Sequence, residues 1–216
     1  METKSVLLVG VGGQGAILTA KVLVNGLMRA GYDVKMSEVH GMSQRGGSVS
    51  SQVRYGEKVY SPYIGRGAAD VLVAFEKMEA VRYAEFLKPD GIAVINDFEM
   101  ESSTTAAGLA QYPQGCLEAM QANFKCLTLK AAEIAESLGT AKCMNIVLFG
   151  AMAKALQLGG IDWEDIIRST VPERFVDMNI AAYRAGRDAC ALNVPPPAGM
   201  SAQRGCEQKV HHCRLC

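Results

Sequence analysis

Val6-Leu7-Leu8-Val9-Gly10-Val11-Gly12-Gly13-Gln14-Gly15, followed at once by Ala16-Ile17-Leu18, is the stretch that decides the fold. Apolar residues run unbroken to Val9, and four glycines then fill six positions. An unbroken apolar run of this length reads as a strand buried on both faces, as in a parallel sheet. The glycines read as a tight turn, because they accept positive φ and let other backbone approach closely. Gly10, Gly12 and Gly15 also fit the G-x-G-x-x-G spacing. Two readings follow. The amides of the next helix face the anionic part of a bound dinucleotide, or the turn only packs a helix onto a sheet.

Downstream, Ile17, Leu18, Ala20, Val22, Leu23 and Leu27 form the stripe of a helix running from Gln14 to about Gly31. Tyr32 to Ser37 reads as a second strand, so strand, turn, helix and strand make one right-handed βαβ unit. Glu38 lies 23 positions after Gly15, near the place where a carboxylate binds the adenine ribose of NAD. The bland alternative is a polar residue at a strand end.

The next segment breaks the dinucleotide pattern. Val39-His40-Gly41-Met42-Ser43-Gln44-Arg45-Gly46-Gly47 carries no helical stripe and reads as a loop. Ser48 to Tyr55 alternates as a strand does, Gly56-Glu57-Lys58 is a turn, and Val59-Tyr60-Ser61 is expected to return as the second strand of a hairpin. A loop and hairpin thus stand where a second crossover helix belongs. The α/β alternation then resumes. Strands are expected at Asp70–Phe75, Gly91–Ile95 and Phe124–Leu129, with Lys88–Gly91 a turn. Helices are expected at Glu76–Leu87, Ala131–Leu138, Met144–Leu158, Asp162–Ser169 and from Pro172 to about Ala191. The alternation places the chain in the α/β class, with a Rossmann-like start and a helical C-terminal part. Residues 1–197 make a single domain and residues 198–216 a tail.

Composition narrows the function. Of 216 residues 49% are hydrophobic, and 22 basic side chains balance 22 acidic ones, so no electrostatic footprint recommends nucleic acid or an acidic membrane surface. Nothing reads as a signal peptide or as a membrane span, and the expectation is a cytoplasmic chain. Cys116, Cys126, Cys143 and Cys190 have no ligand-like spacing and read as buried, inert thiols. Arg45 beside two glycines could fork onto a phosphate or carboxylate, or make a surface ion pair. His40 reads as a structural histidine, since no nucleophile partners it.

Taken together, Gly10-Val11-Gly12-Gly13-Gln14-Gly15 and Ser37-Glu38-Val39-His40-Gly41-Met42-Ser43-Gln44-Arg45-Gly46-Gly47-Ser48-Val49 resemble the γ-type subunit of the 2-oxoacid:ferredoxin oxidoreductases. Ala69–Glu76, Met144–Ala151 and Val171–Asn179 extend the resemblance, in order, over roughly residues 5 to 190. Within that family the chain is most similar to the β subunit of the indolepyruvate:ferredoxin oxidoreductases. The resemblance implies a three-layer α/β/α fold with a mostly parallel, mixed sheet, and oxidative decarboxylation of 2-oxoacids to acyl-CoA, with electrons passed to ferredoxin. Thiamine diphosphate, Mg and the iron–sulfur clusters then belong to a large partner subunit, and this chain is inactive alone. It implies no catalytic residue here, a contact with coenzyme A, and a site wall formed by Gly12, Gly13, Gln14, Gly15, Arg45, Gly46, Gly47 and Ser48. Consistently, neither a thiamine motif nor a C-x-x-C-x-x-C run is found in the core. The tail departs from the family. Cys206, His211, His212, Cys213 and Cys216 have residue types that zinc accepts, although no metal site is expected and a terminus without order is the simpler reading. Competing functions are a stand-alone NAD-dependent oxidoreductase, resting on Gly10, Gly12, Gly15 and Glu38, and a metal-binding scaffold, resting on the tail.

Overall fold

Lys4–Val11 forms the first strand, β1, with every residue from Ser5 onward buried. Side chains alternate across a strand, and β1 divides its residues between two cores. Val6 and Leu8 pack in one, and Leu7 and Val9 in the other. That division makes the molecule three-layered. The computed structural model describes residues 2–40, 46–100, 105, 108, 111–189 and 191–193.

Helix α1 (Ala16–Arg29) follows the glycine turn. The strands β2 (Asp33–His40), β3 (Ser48–Gly56), β4 (Ala69–Ala74), β5 (Leu87–Asn96), β6 (Lys125–Leu129) and β7 (Ala191–Asn193) complete the sheet. Among the described residues seven strands are ordered β2-β3-β1-β4-β5-β6-β7. β1, β4, β5 and β6 are mutually parallel, while β3 runs antiparallel to both β1 and β2, and β7 antiparallel to β6. Helices α2 (Lys77–Arg82) and α3 (Cys116–Asn123) cover one face. α1, α4 (Ala131–Ser137), α5 (Met144–Ala155), α6 (Trp163–Thr170) and α7 (Val176–Ala189) lie on the other.

Several expectations are corrected. β2 does not lie beside β1, because β3 is inserted between them and joins both through full ladders. With both edges of β3 occupied, Val59-Tyr60-Ser61 has no strand to pair with and is not a strand. It belongs to a strap tied by Val59 N to Asp33 Oδ2 (2.9 Å) and Ile64 N to Gln52 Oε1 (2.7 Å). The hairpin is β2–β3, closed by the loop after His40. Residues 88–91 lie within β5 as an irregularity, since pairing with β4 jumps from Ala69–Leu87 to Val71–Ile92. The helix expected over 76–87 ends at Arg82 and passes into a 3-10 turn, Ala84–Phe86. Pro172 has an extended ψ of 140° and precedes a 3-10 turn, so the last helix begins only at Val176. Asp162 caps α6 as expected, accepting from Asp165 N.

Cys116, Cys126 and Cys143 are buried free thiols. Burial pushes the Cys126 thiol up to about 12, so it stays protonated near neutrality. Cys190, the tail cysteines and histidines, and Pro195 to Pro197 lie outside the described residues.

Two contacts hold the layers in register. α5 and α7 cross at Gly150 and Gly186, where a Cβ on either would overlap the backbone of the opposite helix, at Tyr183 and Val147. Because backbone cannot swing aside, Gly186→Ala is expected to cost at least the upper end of the about 1–3 kcal/mol typical of overpacking, read as a lowered denaturant midpoint. At the other end of the strands, Asp70 accepts from Ser5 N (2.8 Å), Lys4 Nζ (3.2 Å) and Lys88 Nζ (2.8 Å), joining β4 to β1 and β5. Burial works against this carboxylate, yet Lys88, the Ser5 amide and Lys4 outweigh it and hold its pKa below the ordinary 3.8. Its stabilising contribution is therefore complete above the unfolded value and is lost as pH falls through the folded one. Asp70→Asn should destabilise the fold at pH 7 by toward the low end of about 1.5–3 kcal/mol, read as a lowered thermal midpoint, and flatten the acid limb of the stability–pH curve.

Candidate functional site

The direction of two crossovers locates the site. After β1 the chain turns to the α1 face, and after β4 it turns to the α2 face. The carboxyl ends of β1 and β4 are adjacent, so a crevice opens between them where open α/β sheets bind ligands.

One wall is the glycine turn. Gly13 and Gly15 have φ of 105° and 84°, which their residue type permits without strain. Gly13 is exposed and has open space beside it. Gly15 caps α1 with no side-chain acceptor and no acidic residue in the first turn, so the amides of that turn keep their preference for an anion. Gly10 is required for packing, because a Cβ there would lie 2.8 Å from Gln14 Oε1 and 2.9 Å from Phe75 Cβ.

The second wall is the exit of the β2–β3 loop. Gly12 N donates to Gly47 O (2.8 Å), and Gly46 N donates to Gly12 O (3.4 Å). The structure thus joins Gly12 to Gly46 and Gly47, and Val11 to Ser48, with Gly13, Gln14 and Gly15 following directly in the turn. Arg45, with Gly41 to Gln44, lies outside the described residues. Three of the sequence-selected groups are committed to holding these walls. Gly12 uses both its backbone groups on the loop. Gln14 is buried, its Oε1 accepting from Val11 N (2.8 Å) and its Nε2 donating to Phe75 O (3.2 Å). Ser48 Oγ donates to Glu79 Oε2 (2.5 Å). The backbone around Gly13 and Gly15 is what remains to face a ligand.

Sequence reasoning missed the residues behind the walls. Asn96 is fully buried at the end of β5, where Nδ2 donates to Phe75 O (3.2 Å) and Oδ1 accepts from Ala131 N (2.9 Å). Asn145, at the start of α5, reaches the Gly15 carbonyl (3.4 Å), and its own carbonyl accepts from Thr19 Oγ1 (3.3 Å). Glu76 and Glu79 are buried on one turn of α2. Glu76 caps the helix through Glu79 N (2.9 Å) and accepts from Tyr112 Oη. Burial raises both carboxyls above the ordinary range. Two acids three residues apart, directly after a continuous apolar strand, were the available signal.

Glu38 is placed where the NAD reading cannot use it. It pairs with Ser51, which in turn pairs with Leu8, so two strand spacings, roughly 10 Å, separate it from β1. The row also passes two residues short of Gly10. β3 stands where the ribose of a dinucleotide needs room. Among the described residues no three His, Cys, Asp or Glu side chains cluster as metal ligands, and no helix is long and apolar enough to cross a membrane.

Gln14→Ala would leave the Val11 amide and one bond to the Phe75 carbonyl unmade in a buried place. The expected cost is about 1–3 kcal/mol, measured by urea denaturation. Gln14→Glu should recover only the Val11 part.

Comparison with known proteins agrees with this architecture. The family model described as pyruvate ferredoxin/flavodoxin oxidoreductase matches residues 5–189. The indolepyruvate oxidoreductase subunit IorB of Archaeoglobus fulgidus is 37% identical over 84% of this chain and 92% of its own length. That of Thermococcus kodakarensis is 36% identical over 86% and 95%. Among solved structures, the pyruvate oxidoreductase subunit PORC of Thermotoga maritima superposes with a TM-score of 0.65 at 20% identity, covering 90% of this chain and all of that one. A 2-oxoglutarate:ferredoxin oxidoreductase of Magnetococcus marinus superposes at 0.66 with 19% identity, covering 91% of this chain but 32% of that longer one. The same α/β unit therefore occurs both as a separate chain and within a larger one. With the family model spanning β1 to α7, the chain belongs to the pyruvate ferredoxin/flavodoxin oxidoreductase family, as a subunit of a 2-oxoacid:ferredoxin oxidoreductase.

Proposed function

We propose that this chain is the small subunit of an indolepyruvate-type enzyme, which oxidatively decarboxylates aryl pyruvates to acyl-CoA and passes the electrons to ferredoxin. The crevice between β1 and β4 forms half of a site completed by a large partner subunit carrying thiamine diphosphate, Mg and iron–sulfur clusters. Gly13, Gly15 and the first-turn amides of α1 receive an anionic group of coenzyme A, flanked by Gly46–Ser48 and by Arg45 from the loop before them. The reading places the complex in the cytoplasm.

The observation that carries the reading is the junction of Gly12 with Gly46 and Gly47 at the switch point. The junction uses its own amides, so the groups left for an anion are the backbone of Gly13 and Gly15 and the uncapped first turn of α1, while among the described residues the neighbouring side chains of Gln14 and Ser48 are bonded inward. A wall of this kind binds and orients but does not catalyse, which suits a subunit whose chemistry is supplied by a partner. The Magnetococcus marinus structure, in which the longer chain carries this unit, was solved with 2-oxoglutarate, coenzyme A and succinyl-CoA bound. The preference for indolepyruvate rests on the IorB relatives. A stand-alone NAD enzyme is not favoured, because β3 occupies the ribose position and Glu38 is displaced from it.

Reconstitution tests this. The chain alone should be inactive. Co-expressed with its large partner, it should support coenzyme A-dependent reduction of a ferredoxin-type acceptor by indolepyruvate. Gly13→Asp should raise the coenzyme A KM of the complex about tenfold above that of Gly13→Asn, which carries the same backbone strain at a φ of 105° without the negative charge. Full activity of the large subunit without this chain would overturn the proposal.

A further inference from the structure

Glu79 is a buried carboxylate that no step described so far requires. It is 1% exposed and lies on α2. Burying a carboxylate is costly unless it is well bonded, and an apolar residue would serve packing at this helix face. Its surroundings point to a different reason. Oε2 accepts from Ser48 Oγ at 2.5 Å, and Oε1 pairs with Arg82 Nη1 at 3.1 Å. Tyr83 Oη lies 3.4 Å from the same serine hydroxyl. Glu76, one turn earlier, anchors Tyr112 and adds a second negative group nearby. Arg82 is half exposed, and among the described residues the group that Glu79 bonds at the crevice is Ser48.

Ser48 occupies a sensitive place. It is the first residue of β3, directly after Gly46 and Gly47, and it pairs with Val11 across the sheet. Neither glycine has a side chain with which to fix its own position. Their hold on Gly12 depends on one good bond and one long one, 2.8 and 3.4 Å. On the β3 side of this junction the Ser48–Glu79 bond, at 2.5 Å, is a side-chain anchor on the residue next to Gly47.

We propose that Glu79 is a positioning residue for the anion-binding wall: by holding Ser48 it sets Gly46 and Gly47 against Gly12 and so fixes the edge of the crevice. The assignment rests on the coenzyme A reading of that crevice. It requires Glu79 to act through Ser48 and not through α2.

The test uses the reconstituted complex, with KM for coenzyme A and kcat measured separately. Ser48→Ala and Glu79→Ala should each raise the coenzyme A KM about tenfold and change kcat much less. The double variant should be no worse than the weaker single variant, because both remove one bond. Glu79→Gln, which keeps an acceptor for the serine, and Ser48→Thr, which keeps the hydroxyl, should stay near wild type. An effect in the double variant equal to the product of the singles overturns the assignment. So does an equal KM for Ser48→Ala and Ser48→Thr, a pair that gives the answer even where Glu79→Ala fails to fold. Gly13→Asp is the reference. If it raises the KM while Glu79→Ala leaves it unchanged, the positioning role is wrong. If neither changes it, the crevice reading is wrong.

Discussion

The carbonyl oxygen of Phe75 holds the molecule's working edge together. It accepts one side-chain amide from Gln14, in the turn after β1, and another from Asn96, at the end of β5. Phe75 N meanwhile donates to Val9 O (2.9 Å), continuing the β1–β4 ladder by one residue. Asn96 extends the connection to the first amide of α4. Three strand ends and a helix start are thus tied to the backbone of one residue. A carbonyl has two lone pairs, and both are used here, in a place where an unmade bond costs the full desolvation penalty. The spread of the crevice is fixed by that geometry.

The inserted strand gives the fold its particular character. A sheet that began as a dinucleotide fold would place β2 beside β1 and leave the turn open on that side. Here β3 takes the position, and its approach delivers Gly46 and Gly47 to Gly12. The glycine turn therefore acquires a protein neighbour where a dinucleotide enzyme has cofactor. The same insertion uses both edges of β3, which is why the 59–66 segment folds back as a strap and not as a strand.

The crevice is lined by backbone and supported by buried polar side chains. Gln14, Asn96, Asn145, Glu76 and Glu79 all lie behind the opening and are satisfied within the protein. This distribution suits a surface whose task is to be rigid and correctly shaped for a ligand and a partner. A catalytic centre would instead aim such groups into the opening.

Local pattern alone determined much of this protein. Val6–Val9 had to be a buried strand, Gly10–Gly15 a tight turn, and Ile17–Leu27 a helix, because each depends on residues close in sequence and on period. The buried α5 and the capping of α6 by Asp162 were legible for the same reason, and the three layers through resemblance. The partnership of Gly12–Gly15 with Gly46–Ser48 was legible through resemblance. Only the tertiary structure decided the neighbours of β3, since Ser48–Tyr55 alternates equally well beside 59–61 or beside β1, and the choice rests on long-range pairing. It also decided that Gln14 and Ser48 turn inward to Phe75 and Glu79, and that Glu38 is carried away from the turn. Those outcomes depend on which strands become adjacent, a property that no local window of the sequence contains.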